Sequence, residues 1–285
     1  MVERALAWSP GHVSGYFCRC AGPNGEATGS IGGGIVIGEG VTVEAVRSES
    51  PAVCVIVRAP GSRSVTVRGS PPVEYLMDRL DAPAALTTSC TLPIGAGFGL
   101  SAAALLASGT ALSALHDLAL SRNAIATAAH EAEVRFRTGL GDVAAAQGGG
   151  VVVRRGPGVD AEILRLPSDE PIAAVSFGPI PTPGVLDSEG AMAKVRTAFP
   201  SAEPRDLEEL VRLSRTFAER SGLVTPRVRA ALAACDAAGV PASMTMLGDG
   251  VFATGTGADL ALARFGRVFR LHVATAGFRL LECGP

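Results

Sequence analysis

Lysine is all but missing from this chain. Of 25 basic residues among 285, Lys194 alone is a lysine and the rest are arginine. That scarcity excludes two common ways of handling a nucleotide. A Walker A loop needs Gly-Lys-Ser/Thr, and no such tripeptide occurs. A protein kinase needs a strand lysine in the lobe that carries its glycine loop, and none stands there. Long apolar runs are absent too: none reaches the ~18 residues of a membrane-spanning helix. The N-terminal stretch Met1–Trp8 carries a charge pair and then too short an apolar run for a signal peptide. Charge imbalance is lacking, since the net charge of −2 marks neither a nucleic-acid nor a membrane surface. The six cysteines show no CxxC spacing, so small buried hydrophobes are expected rather than a zinc or disulfide framework. There is no internal repeat and no low-complexity tail. A cytoplasmic globular protein is the expectation, with no nucleic acid and no membrane as partner.

With 47% apolar residues over 285 positions, the chain can build one large or two ordinary domains. The first third reads as strands near 2–8, 13–20, 41–47, 53–58 and 64–68. Ser9-Pro10-Gly11-His12 reads as a turn, and a glycine cluster at Thr28–Gly34 precedes Ile35-Val36-Ile37. A helix follows from Pro71 to about Leu80, then a strand at 84–91, a nearly uncharged buried helix at 100–115 and a helix at 121–136 N-capped by Ser121. A short helix at 143–147 and a strand at 151–153 lead to Gly156-Pro157-Gly158, which sets a domain boundary: 1–157 and 158–285. The second part reads as strands near 162–166 and 171–177, helices near 187–199, 204–221 and 225–238, a strand pair around Leu247-Gly248-Asp249, a helix near 257–265 and a strand at 267–274. Together these describe an α+β protein.

The chain is organised around Leu92-Pro93-Ile94-Gly95-Ala96-Gly97-Phe98-Gly99-Leu100-Ser101-Ala102. Three glycines alternate between an apolar strand and a long helix. Such a loop sets backbone N–H groups at a helix start, where the partial positive charge favours an anion, most often phosphate. A tight turn into a core helix would use the same residues. Ser101 can ligate Mg²⁺ beside phosphate oxygens or serve as a helix cap. Glu131 and Glu133, two apart on a helix, point different ways, so one can face inward while the other stays solvated near Arg135. Asp142 follows Gly139-Leu140-Gly141 and can either cap a helix or accept a hydroxyl proton during phosphoryl transfer. His12 and Arg137 are further candidates, Arg137 as a bidentate carboxylate clamp.

Three motifs spread over nearly the whole chain resemble those of the GHMP kinase superfamily: Ser9-Pro10-Gly11-His12-Val13, the phosphate loop Pro93 to Ala102, and Ser243–Gly250. Within it, Pro10–Phe17, the Gly-Ala-Gly-Phe-Gly-x-Ser-Ala-Ala-Ala loop, Thr138–Val143 and Met246-Leu247-Gly248 most resemble the archaeal pantoate kinases. The resemblance implies a two-domain fold: a β-rich N-terminal domain with the phosphate-loop helix, and a smaller ferredoxin-like C-terminal domain. It implies ATP and Mg²⁺ as cofactors, with phosphorylation of the primary hydroxyl of (R)-pantoate for archaeal coenzyme A synthesis. By the same resemblance Pro93, Gly95, Ala96, Gly97, Phe98, Gly99, Ser101 and Ala102 bind nucleotide. Ser101 and Glu131 hold Mg²⁺, and Asp142 is the catalytic base or charge stabiliser. Backbone groups of Ser30, Gly32 and Gly33, with His12, Arg137 and Thr138, are expected around the substrate. Leu100 replaces the first serine of the family's pair, Asp249 stands in a loop that is usually glycine-rich, and no lysine reaches the transferring phosphate. Another small alcohol (shikimate, homoserine or mevalonate) and a non-catalytic nucleotide-binding relative are the alternatives. A homodimer through the β-rich part is the oligomer to look for.

Overall fold

The computed structural model describes residues 2–25, 27–58, 64–180 and 189–285. Its spine is a ribbon of two long antiparallel strands, β1 (Arg4–Cys20) and β2 (Gly29–Arg47). Ser9–His12, expected as a turn, lies inside β1. The register slips between Ser9 and Gly11, so Pro10, which cannot donate to a ladder, falls at a bulge and pairing resumes at Gly11↔Ile37. The rest of the first sheet forms around this ribbon, with β3 (Ala52–Val57), β4 (Val65–Arg68), β5 (Ala84–Cys90) and β12 (Arg279–Gly284) giving the order β12-β1-β2-β5-β3-β4. β6 (Val151–Arg154) pairs with the glycine-rich half of β2, and β7 (Ile163–Leu166) pairs with β6.

β12 was not legible as a strand in the sequence, and it brings the chain's end back to the edge of β1. It and β7 both lie beyond residue 157 yet belong to the first sheet, so the division of sheets does not follow a cut at 157/158. The second sheet is β11 (Phe269–Leu271), β8 (Ile172–Pro179), β10 (Gly248–Thr254) and β9 (Ala242–Met244), in that order and antiparallel throughout. The segment after β11 stitches the two sheets together. The Gly38 N–H donates to the His272 carbonyl at 2.8 Å, and the Ala274 N–H donates to the Val36 carbonyl at 2.8 Å.

Helices α1 (Pro71–Arg79), α2 (Leu100–Leu115), α3 (Arg122–Phe136) and α4 (Asp142–Ala146) belong with the first sheet; α5 (Glu189–Ala198), α6 (Leu207–Ser221), α7 (Pro226–Ala237) and α8 (Ala258–Ala263) follow. The expected start of α5 near 187, with Pro181 and Pro183, lies outside the described residues. α2 is buried nearly all round, as its lack of charge predicts; Leu105, Leu106 and Leu112 have no exposed surface. α6 begins at Asp206, whose carboxylate accepts the Glu209 N–H at 2.8 Å, and ends at Gly222 with φ 73°. Its buried stripe of Leu207, Leu210, Val211, Ser214, Phe217 and Ala218 faces β1. The Phe217 ring lies 6.4 Å from that of Tyr16 and 5.9 Å from that of Phe17.

No helix among the described residues is long and apolar enough to cross a membrane. Phe217 thus joins α6 to the strand that carries His12. Phe217→Ala should lower stability by roughly 3–5 kcal/mol in chemical denaturation, the cost of removing a fully buried aromatic. A change below ~1 kcal/mol would mean that α6 is not anchored there.

Candidate active site

Local geometry first sets the glycine loop. Gly95, Gly97 and Gly99 have φ of 75°, 83° and 61°, left-handed values that most side chains resist. Gly99 is the N-cap of α2 and no side chain caps that helix end. The loop is held from two sides. From β1, the His12 N–H donates to the Phe98 carbonyl at 2.9 Å. From the second sheet, the Phe98 ring meets Phe269 edge-on at 6.0 Å, and the Thr245 hydroxyl donates to the Ala96 carbonyl at 3.4 Å.

In front of the loop opens a cleft of about 360 Å³, whose lining includes Gly95, Gly97, Gly99, Ser101, Glu133 and Asp142. Phe98, Arg137 and Thr138 also line it. The side chains of Pro93, Ala96 and Ala102 do not: Ala96 and Ala102 are each 1% exposed and pack in the core. Asp249 faces elsewhere and accepts the Thr225 hydroxyl at 2.7 Å.

Two carboxylates meet at the foot of α2, and one is not the expected one. Glu131 turns to the protein's outside and pairs with Arg79 at 3.3 Å. Glu133 is the inward carboxylate, 1% exposed and lining the cleft. The correction has a helical reason: Ala126, Ala129, His130 and Glu133 form the buried stripe of α3 at spacings of three, four and seven, and Glu131 lies off it. Thr138 donates its hydroxyl to Glu133 Oε1 at 3.1 Å, and the Ser101 side chain is a further hydrogen-bond partner of Glu133. Oε2 of Glu133 is buried without a partner. Burial, then the nearby charge of Asp142, push the Glu133 carboxyl up to about 8, against those two hydrogen bonds. An unpartnered carboxylate oxygen beside a second carboxylate and a hydroxyl is a donor set suited to a hard divalent cation that keeps waters and phosphate oxygens as its other ligands. Mg²⁺ fits that set.

Asp142 is the first residue of α4, after Gly141, and keeps 23% of its side chain accessible. Its Oδ1 lies 2.6 Å from His12 Nδ1. Burial pushes Asp142 up, but the hydrogen bond from His12, with the charge of Arg154 behind it, outweighs that and leaves its carboxyl below the ordinary range. His12, expected at the substrate, is instead enclosed behind Asp142 with its side chain 0% exposed, and it does not line the cleft.

Gly32 and Gly33 also have a different task from the expected one. They pair with β1 on one side and β6 on the other, so their backbone groups sit within ladders. Lack of a side chain there makes room for Tyr16: a Cβ on Gly33 would stand 2.5 Å from its ring. Ser30 is buried, and its hydroxyl sits 3.5 Å from Nη2 of Arg154.

Arg154 is the residue that sequence reasoning missed. It ends the run Val151-Val152-Val153 in β6 and is 2% exposed. Its Nε and Nη1 have no hydrogen-bond partner. A Cβ on Gly141 would come within 2.6 Å of Nε, so the guanidinium lies directly behind the residue that precedes Asp142. Burial pulls Arg154 below its ordinary value, countered by Asp142 and Tyr16. A second cavity of about 240 Å³ opens onto it, walled by Tyr16, Ile31 and Phe199 and rimmed by an Arg155–Glu203 ion pair at 2.8 Å. The only sequence signal was a paired arginine closing a valine run, which marks a strand end as readily as a site.

The family profile described as "GHMP kinases N terminal domain" matches residues 71–150, the stretch from α1 through the phosphate loop to Asp142 and beyond. The chain is 43% identical to a pantoate kinase of Methanospirillum hungatei JF-1 over 98% of its own length and 97% of the relative's. It is 30% identical to a pantoate kinase of Methanocaldococcus jannaschii, covering 86% and 90% of the two. A solved structure described as a phosphotransferase related to the CoA biosynthesis pathway superposes with a TM-score of 0.76 at 24% identity, covering 97% of this chain and 98% of the other; at that identity it carries the fold alone.

The raised Glu133 carboxyl has a consequence for stability. Its ordinary value is 4.5 and its folded value about 8, so between them the folded chain holds a proton that the unfolded chain has released. Stability therefore falls as pH rises through that window. Without divalent metal, Glu133→Gln should melt progressively higher than the unsubstituted protein as the buffer goes from about pH 5 to about pH 9. A Tm difference that stays flat across the range would contradict a buried, destabilised Glu133.

Proposed function

Because the chain belongs to the pantoate kinases, within the GHMP kinases, we propose that it transfers the γ-phosphoryl group of ATP to the primary hydroxyl of (R)-pantoate, giving 4-phosphopantoate for coenzyme A synthesis. The observation that carries the substrate reading is Arg154, a buried guanidinium with two unengaged donor nitrogens behind Asp142. Such a group is costly to bury alone and calls for an anion. A substrate carboxylate there would accept from Nη2 and one of the unengaged nitrogens, with the Ser30 hydroxyl alongside Nη2. Pantoate carries its carboxylate and its primary hydroxyl at opposite ends of a short chain. With the first held at Arg154, the second would be directed to Asp142, which lies close enough for the guanidinium's charge to act on it. The walls offered by Tyr16, Ile31 and Phe199 suit its two methyl groups.

Asp142 then accepts the hydroxyl proton as the oxygen attacks. Its ionised state, favoured by His12 and Arg154, is the one that this step needs. Gly95, Gly97, Gly99 and the uncapped start of α2 would cradle the triphosphate through backbone N–H groups. Ser101 and Glu133 would hold Mg²⁺, which when bound neutralises charge on the phosphate oxygens. Arg137, which lines the cleft, would contact the triphosphate rather than the substrate carboxylate. The alcohol ends up phosphorylated, ADP leaves, and the proton passes from Asp142 to solvent.

A coupled ADP-release assay with Mg·ATP tests this. Pantoate should be turned over, with homoserine, mevalonate and shikimate at background; the reverse pattern would overturn the assignment. Arg154→Met should raise KM for pantoate on the order of 10- to 100-fold, the worth of hydrogen bonds to a charged group, while KM for ATP holds. Asp142→Ala should keep ATP binding and lose about 10²- to 10⁴-fold in kcat. An alanine variant with undiminished kcat would remove Asp142 from the chemistry.

A further inference from the structure

His12 touches both halves of the reaction without reaching the cleft. Its backbone N–H donates to the Phe98 carbonyl inside the glycine loop at 2.9 Å. A Cβ on Gly99 would lie only 2.9–3.1 Å from the His12 N, O and Cβ, so loop and strand are packed to contact there. Its side chain reaches the other way, to Asp142 Oδ1 at 2.6 Å. The ring is enclosed and Nε2 has no partner; that atom lies 2.3 Å from where a Gly34 Cβ would stand. A proton on Nε2 would have nothing to bond, so the ring is neutral and its one N–H is the Nδ1–H that Asp142 receives. Ser14 Oγ, 3.5 Å from the same nitrogen, is the only other polar side chain hydrogen-bonded to the ring among the described residues.

We propose that His12 is the positioning residue of the transfer. One residue ties the phosphate loop, through its main chain, to the base, through its imidazole, and so fixes the gap between the γ-phosphoryl group and the hydroxyl that Asp142 deprotonates. This rests on the kinase reading above. It assigns His12 no contact with substrate or nucleotide. Gly34 leaves room for the ring, since a Cβ there would meet both Nε2 and the Val13 carbonyl of β1.

The inference separates kcat from KM. The loop contact is made by the backbone and survives substitution, so only the arm to Asp142 is lost. His12→Leu should cut kcat about 10²-fold or more, the usual worth of a positioned base. KM for ATP and for pantoate should stay within about threefold, since binding groups are untouched. Asparagine places its amide nitrogen the same number of bonds from Cα as Nδ1, whereas glutamine places it one bond farther. His12→Asn should therefore recover about tenfold over His12→Leu, and His12→Gln should not. Equal rates for the three variants would reduce His12 to a filler of volume. A large rise in KM for pantoate would make it a substrate ligand. Either result overturns the proposal. Should His12→Leu fail to fold, His12→Gln takes its place: it should lose kcat relative to His12→Asn with both KM values held, and equal kcat for these two contradicts the proposal. An unsubstituted enzyme inert toward pantoate would refute the substrate and not the placement. The placement is then read from crystal structures of the unsubstituted protein and His12→Leu with Mg²⁺ and a non-hydrolysable ATP analogue. Asp142 should leave its position only in the variant, and an unmoved carboxylate would contradict the inference.

Discussion

A guanidinium, a carboxylate and an imidazole share a region from which the fold has removed most of the water. Arg154 and His12 are essentially fully buried, and Asp142 keeps only a narrow opening to the cleft. Burying an ion costs several kcal/mol even after relaxation, and attraction between partners repays this only when geometry and hydrogen bonds are good. Here the repayment is incomplete, because two nitrogens of Arg154 and one oxygen of Glu133 have no partner. Such debts accumulate where a ligand settles them, and the surrounding fold must be rigid enough to carry them meanwhile. The rest of the structure reads as that support. β1 and β2 run as one continuous ribbon beneath the charges, α2 packs against them with a largely apolar, uncharged surface, and α6 anchors the strand through Phe217.

The glycines follow from the same constraint. Those of the phosphate loop have the backbone angles that bring several N–H groups to one helix end. Those of β2 leave space instead, Gly33 for Tyr16 and Gly34 for His12, while Gly141 admits Arg154 and Ser30 against the backbone. Glycine in two roles thus lies on both sides of the reacting centre. The second sheet closes the arrangement, holding the phosphate loop through Phe269 and Thr245. The two sheets are bridged again at residues 272–274, so the loop is fixed between them rather than hanging from one.

Much of this was legible in the sequence. The alternating glycines before an uncharged helix marked the left-handed loop that lines the cleft, the lysine scarcity excluded the commoner architectures, and the three motifs pointed to the family that the relatives establish. What escaped has identifiable causes. Glu131 and Glu133 were not separable by proximity to Asp142, although the alanine stripe of α3 at helical spacing decides between them. Ser9-Pro10-Gly11 carries every local mark of a turn, and only long-range pairing with β2 shows that it is a bulge. β12 is a short strand whose partner is more than two hundred residues away, so no local pattern forecasts its place. Nothing local marks Arg154, because its burial depends on Ser30 and Tyr16, both distant in sequence, and on Gly141 across the turn of α4.

The central claim is that the acceptor acid lies between Arg154 and Asp142, with nucleotide held on the glycine loop. A crystal structure with pantoate, a non-hydrolysable ATP analogue and Mg²⁺ tests it most directly. The account predicts the substrate carboxylate on the Arg154 guanidinium, its primary hydroxyl within hydrogen-bond reach of Asp142, and the metal on Ser101 and Glu133. A substrate carboxylate bound at Arg137, with Arg154 still unengaged, or a metal on Glu131, would contradict it.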